Sequence, residues 1–156
     1  MLNLLLARRD TTAGLLSNAF HTLVRHLKVW QKLSEEVEIL EGRTPTYEDL
    51  KNMKYLKYVL NEMLHLYPPI PNNARFASAS TVLPTRGGPP GESLIHITPG
   101  TIILYLTYSL HRRTDIYGPN ASEFIPERWA PDTPSGPLRP GWGYIPFNSR
   151  PRIRVG

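Results

Sequence analysis

Apolar positions in the first third of the chain recur at helical spacing. Leu15, Leu16, Ala19, Phe20, Leu23, Val24 and Leu27 follow one another every three or four residues, as do Val29, Trp30, Leu33 and Val37, which is the period of an amphipathic helix. Residues 1 to about 41 are therefore predicted to be helical, with Gly42 as a stop signal. Thr46-Tyr47-Glu48-Asp49 reads as a new helix start after Thr44-Pro45. A further helix is predicted from Met53 to Leu66, with Leu56, Val59, Leu60, Met63 and Leu64 on its apolar side. Tyr67-Pro68-Pro69 ends it, because neither proline can donate a helical hydrogen bond.

From Ala74 onward the pattern changes. Arg86-Gly87-Gly88-Pro89-Pro90-Gly91 reads as a loop and Pro99-Gly100 as a turn. Between them Ser93 to Thr98 alternates weakly, and Thr101 to Tyr108 is a β-branched and aromatic run suited to a strand. Residues 118 to 151 carry many Pro and Gly with isolated aromatics, the texture of ordered coil laid over a neighbouring surface. The sequence has no internal repeat and no low-complexity tract. Long helices first, proline-rich coil last and only two or three short strands between them suggest a piece of something larger, since such strands need partners.

Composition narrows the functional classes. The chain has 156 residues, with 18 Lys and Arg against 13 Asp and Glu. The resulting +5 charge is scattered, with no run of four basic residues, and reads as a solvated basic surface rather than a nucleic-acid footprint. With no cysteine the chain forms no disulfide, no thiolate nucleophile and no cysteine-ligated metal site. The apolar start Met1 to Leu6 stops at Arg8-Arg9 without a basic region ahead of it or a cleavage site behind it, so it does not read as a signal peptide. No stretch reaches the roughly 20 apolar residues of a membrane span.

Four patches carry chemistry. Ala7-Arg8-Arg9-Asp10-Thr11-Thr12 lies on the first helix. Glu62-Met63-Leu64-His65 leads into Leu66-Tyr67-Pro68-Pro69-Ile70-Pro71. Phe124-Ile125-Pro126-Glu127-Arg128-Trp129 follows, and Phe147-Asn148-Ser149-Arg150-Pro151-Arg152-Ile153-Arg154-Val155-Gly156 closes the chain. In this order and spacing they resemble the cytochrome P450 monooxygenases: the Ala-Gly-x-Asp-Thr-Thr segment of the distal helix, the Glu-x-x-Arg helix, the Phe-x-Pro-Glu-Arg-Phe/Trp segment, and the cysteine loop Phe-Asn-Gly-Gly-Pro-Arg-x-Cys-x-Gly. The last two are the more specific. Arg25-His26, Trp30, His111-Arg112-Arg113 and Tyr117-Gly118-Pro119 agree with the same register. The likeness covers essentially the whole chain, with the flavour of fungal fatty-acid and alkane hydroxylases.

The resemblance implies a mainly α fold with minor β (α+β). Residues 1–156 are expected to form a partial P450 domain, from the distal helix through the cysteine loop, with the N-terminal part and the proximal helix missing. It implies oxygen insertion into an apolar substrate such as a fatty acid or alkane, with haem as cofactor and electrons from NADPH-cytochrome P450 reductase. Full-length relatives are expected at the endoplasmic reticulum membrane, through an anchor absent from these residues. By resemblance Asp10 and Thr11 form the distal proton relay, Arg75 and Arg152 hold haem propionates with Phe147 and Trp142 beside them, and Glu62, residue 65 and Arg128 form a structural clamp. By residue pattern alone, Arg75, Arg152 and Trp142 are equally ordinary exposed side chains.

The departures from the family pattern fall on its central positions. Arg8 replaces a glycine that loosens the distal helix. His65 replaces the clamp arginine and brings at most two donors in another geometry, mostly neutral at pH 7. Ser149 and Arg150 replace the two loop glycines. Arg154 stands where the family has its axial cysteine, and a guanidinium offers no lone pair to iron. Three readings follow: a catalytically dead remnant, a truncated piece of an active or unusual haem-binding oxidoreductase, and a non-catalytic binding protein that uses its basic surface or apolar helix faces.

Overall fold

A computed structural model describes residues 2–133, 138 and 140–147, with side chains from residue 9 onward. The fold is mainly helical with two small sheets. The chain divides into two compact units, Met1–Pro71 with Thr107–Gly156, and Asn72–Leu106.

In the first unit, α1 (Leu2–Leu23) and α2 (Leu27–Glu38) are separate helices rather than one stretch to about residue 41. Arg25 N–H bonds to Thr22 O and His26 N–H to Leu23 O, both at 3.0 Å. These tighter bonds close the last turn of α1, and the His26 carbonyl starts α2 by accepting from Val29 and Trp30. After α2 the chain passes through positive φ at Glu41 and Gly42, the conformation for which glycine suits position 42.

Helix α3 (Tyr47–Asn52) opens on the expected signal. Thr46 Oγ1 accepts from the Asp49 amide at 3.3 Å and Asp49 Oδ2 accepts from the Thr46 amide at 2.7 Å, a complete capping box. Helix α4 (Lys54–Leu66) follows. Its first turn borrows a cap from α2: the Glu36 carboxylate accepts from the Tyr55 amide at 2.9 Å and the Leu56 amide at 2.7 Å, satisfying donors that have no intrahelical partner. Val59 and Met63 of α4 meet Ala19 and Leu23 of α1 and Val29 of α2 in the core, flanked by Leu15, Leu33, Tyr55 and Phe124.

The second unit holds four strands where the sequence pattern predicted two or three. β1 (Asn73–Phe76) pairs antiparallel with β4 (Ile102–Tyr105), and β2 (Thr81–Gly87) pairs antiparallel with β3 (Ser93–Ile97). β2 extends into the segment expected to be loop. Its register shifts between Leu83 and Gly87, and Gly87 lies so close to β3 that a Cβ there would meet the Ser93 and Leu94 carbonyls at 2.8 Å. The strand predicted to run to Tyr108 ends at Tyr105. Thr107 instead begins a short helix, α5 (Thr107–Leu110), and is itself buried.

Back in the first unit, α6 (Thr114–Tyr117) precedes irregular chain with 3-10 turns at Pro126–Trp129 and Gly141–Gly143. That matches the coil expected over this region among the described residues. No helix of the described residues is long and apolar enough to cross a membrane.

Candidate functional site

The last turns of α4 bury polar residues where a core helix ordinarily buries apolar ones. Glu62 and His65, three positions apart and thus on one face, are both 0% exposed. A carboxylate removed from water requires donors, since a bare one carries a large desolvation penalty. Glu62 finds them on the segment that follows α6. Its Oε1 accepts from the Ile125 amide at 2.8 Å and from Arg128 Nε at 3.0 Å, and its Oε2 accepts from the Trp129 indole at 2.8 Å. Burial pushes the Glu62 carboxyl up from its usual range, while the Ile125 amide, the Arg128 charge and the indole oppose that shift.

Arg128 completes the clamp from the other side. One terminal nitrogen donates to Tyr117 O at 3.2 Å, and the other to Asn120 O at 2.8 Å and Glu123 O at 3.0 Å. A single guanidinium, planar and fixed in geometry, thus ties the loop after α6 to the carboxylate on α4.

His65 does not join Glu62. Its Nε2–H donates to Ala121 O at 2.9 Å, and its buried Nδ1 has no hydrogen-bond partner among the described residues. Its ring lies 4.2 Å from that of Tyr117, centroid to centroid. Burial lowers its pKa to about 4, and the charges of Arg128, His111 and Arg112 add to the effect. The carbonyls at the end of α4 are satisfied by side chains from beyond α5. His111 Nδ1 donates to His65 O at 3.1 Å, and Arg112 donates to Leu66 O at 2.8 Å. His111 Nε2 accepts from the Ile145 amide at 3.1 Å, and burial lowers the pKa of His111 also. Tyr117 donates to Gly143 O at 3.0 Å, and Tyr144 to Asn61 O at 3.3 Å.

Of the residues singled out in the sequence, the structure therefore brings Glu62 and Arg128 together and places His65 beside them with other partners. Asp10 and Thr11 lie apart from this clamp. They line a cavity of about 430 Å³ with Leu15, Tyr67, Pro68 and Tyr108, where Asp10 is exposed and Thr11 half-buried. Arg75, in the second unit, donates to Ala74 O at 2.8 Å and Asn73 Oδ1 at 3.2 Å, and its guanidinium lies 5.4 Å from the centre of the Tyr105 ring. Phe147 is 38% exposed. Arg152, Arg154, Ser149 and Arg150 lie outside the described residues, as does the side chain of Arg8. Trp129, His111, Tyr117 and Tyr144 belong to the cluster but were not singled out as site residues. Trp129 sat at the end of the Phe124–Trp129 motif, and His111 and Tyr117 in patches that matched the motif register, which was the available signal.

The donor chemistry can be set against the haem that the motifs imply. A haem-thiolate centre needs a cysteine sulfur on iron, and these 156 residues contain none. The two buried histidines are enclosed by protein, with His111 bonded through both ring nitrogens. The residues present supply no thiolate for a haem-thiolate centre.

Comparison with known proteins places the chain. The Cytochrome P450 family model matches residues 1–156. The chain is 48% identical over 157 residues to Cytochrome P450 monooxygenase himC of Aspergillus japonicus, covering all of this chain and 27% of that protein. It is 46% identical over 156 residues to Cytochrome P450 monooxygenase FPY7 of Fusarium mangiferae, covering 100% of this chain and 29% of the relative. It is 48% identical over 163 residues to Cytochrome P450 52A13 of Debaryomyces hansenii, covering 100% and 30%. The chain thus spans under a third of the length of these relatives, with all of its own residues aligned to them, and it belongs to the cytochrome P450 family.

Proposed function

We propose that this chain is a catalytically silent portion of a haem-thiolate monooxygenase, a protein type that inserts oxygen into apolar substrates such as fatty acids or alkanes with electrons from NADPH-cytochrome P450 reductase at the endoplasmic reticulum membrane. The observation that carries the reading is the donor set: the chain has no cysteine, and Arg154 occupies the position that the loop motif gives to the axial ligand. An arginine side chain stays protonated and has no lone pair for iron. By the same motif reading, Asp10 and Thr11 correspond to the distal relay, and Arg75, Phe147 and Arg152 to residues that contact the haem.

Haem added to the purified chain, reduced and exposed to carbon monoxide, tests this. The expected spectrum lacks the red-shifted band of an axial thiolate, and such a band from the unmodified chain would refute the reading. Arg154→Cys in a chain extended by the remaining P450 segments is expected to recover thiolate character. Where it does not, adding Ser149→Gly, Arg150→Gly and His65→Arg is expected to do so.

One observation favours a second reading. The Glu62–Arg128 pair is intact and buried, as it would be in a working member of the family whose ligand lies outside these residues. Flanking coding sequence with a candidate axial ligand would select that alternative.

A further inference from the structure

Two buried polar side chains share one face of α4, and one of them contributes to the clamp. Glu62 Oε1 has two donors, the Ile125 amide and Arg128 Nε. Glu62 Oε2 has one donor among the described residues, the Trp129 indole at 2.8 Å. His65 directs its single N–H to Ala121 O at 2.9 Å and gives Glu62 nothing, while its Nδ1 has no partner among the described residues. A fully buried carboxylate oxygen with no donor would bear its whole desolvation cost. The indole is also well held, with the Tyr144 ring 4.8 Å and the His65 ring 6.3 Å from its own.

We propose that Trp129 is a positioning residue of the clamp: its indole N–H, rather than any group at position 65, completes the coordination of Glu62 and so fixes residues 121–129 on α4. This inference rests on the geometry around Glu62 and holds whatever occupies position 154. It has a consequence that a merely space-filling tryptophan would not share. An arginine at position 65, one helical turn from Glu62, can donate to the same carboxylate, so positions 65 and 129 must be energetically coupled.

Amide and indole hydrogen exchange, followed by NMR on the 156-residue chain, tests both parts. In the unmodified chain the Trp129 indole proton is expected to exchange about tenfold or more slowly than that of Trp30, which is 43% exposed. Trp129→Phe is expected to speed exchange of the Ile125 amide about tenfold. In a His65→Arg background the same substitution is expected to speed it less than about threefold, because the new guanidinium supplies Oε2. An indole proton as fast as that of Trp30, an unchanged Ile125 amide, or equal acceleration in both backgrounds would each overturn the proposal. The indole measurement needs no variant, so a fast indole proton overturns the proposal even where Trp129→Phe fails to fold, and the coupling between positions 65 and 129 is what separates it from space filling.

Discussion

The two sides of α4 are treated in opposite ways. Toward the segment after α6 the helix is closed off by the chain itself: Glu62 and His65 are 0% exposed, and their polar groups meet Arg128, Trp129, Ala121 and His111. On the other side, α4 with α1 and α2 lines an apolar groove of about 530 Å³, with Leu16, Phe20, Trp30, Val37 and Leu60 among its walls. All five are exposed by more than a third, Phe20 by 57%. The polar side is held by directional hydrogen bonds that these residues supply in full apart from His65 Nδ1. The groove side depends on burial of area, which is non-directional and needs a covering surface. The comparison teaches that the clamp is closed by this chain's own residues, while the groove is left open among the described residues.

The largest effect is expected from breaking the polar side. Glu62→Ala leaves Arg128 buried without its carboxylate and strips the acceptor from Ile125 and Trp129, a loss of about 3–5 kcal/mol for a severed buried pair. Limited proteolysis should then cut residues 117–130 at least 100-fold faster, and an unchanged rate would show that the clamp does not hold this segment.

A pH titration probes the same side more gently. The His65 pKa falls from 6.5 to about 4, so the folded form disfavours the charged ring. Its neutral state contributes stability that is present above pH 6.5 and is lost as the pH falls toward 4, on the order of 3 kcal/mol. Glu62 shifts upward and acts with opposite sign, favouring the folded form on acidification near its own titration. His65→Gln keeps a donor for Ala121 O and removes the titration. Exchange protection around residue 121, measured between pH 6.5 and 4, should decline steeply in the unmodified chain and less in the variant.

On the groove side the expected change is in association rather than folding. Phe20→Ser with Val37→Ser should raise solubility severalfold and reduce aggregation in light scattering, while Ile125 protection changes by no more than about 0.5 kcal/mol. A fall in Ile125 protection as large as that from Glu62→Ala would erase the distinction between the two sides.

Glu36→Ala tests the seam between them. Losing the carboxylate that caps Tyr55 and Leu56 should cost about 1 kcal/mol, read as faster exchange at those two amides alone. Smallest of all is Lys32→Ala. Lys32 reaches Glu127 at 2.6 Å from a half-exposed position, and its removal is expected to cost less than about 1 kcal/mol.

What the residues themselves determined was local or encoded in motif. The Thr46–Asp49 box fixed the start of α3, because a side chain and an amide three residues apart satisfy each other without tertiary help. Pro68-Pro69 ended α4 for an equally local reason. The pairing of Glu62 with Arg128 was readable only through the resemblance of their two segments to the family's motifs. The break at Val24–His26, the β2 strand running through Pro84 and the helical turn at Thr107 were not readable. For β2 and Thr107, pairing or packing with distant chain overrode a local preference, and the break at Val24–His26 came from tightened local hydrogen bonds at the end of α1. The same holds for the partners of Glu62. Nothing in a linear pattern says that the indole 67 residues away supplies Oε2 while the histidine three residues away turns to Ala121. Only tertiary structure decides that, because hydrogen bonds to a buried carboxylate are fixed by position and angle in space, and sequence spacing along a helix constrains just one side of the contact.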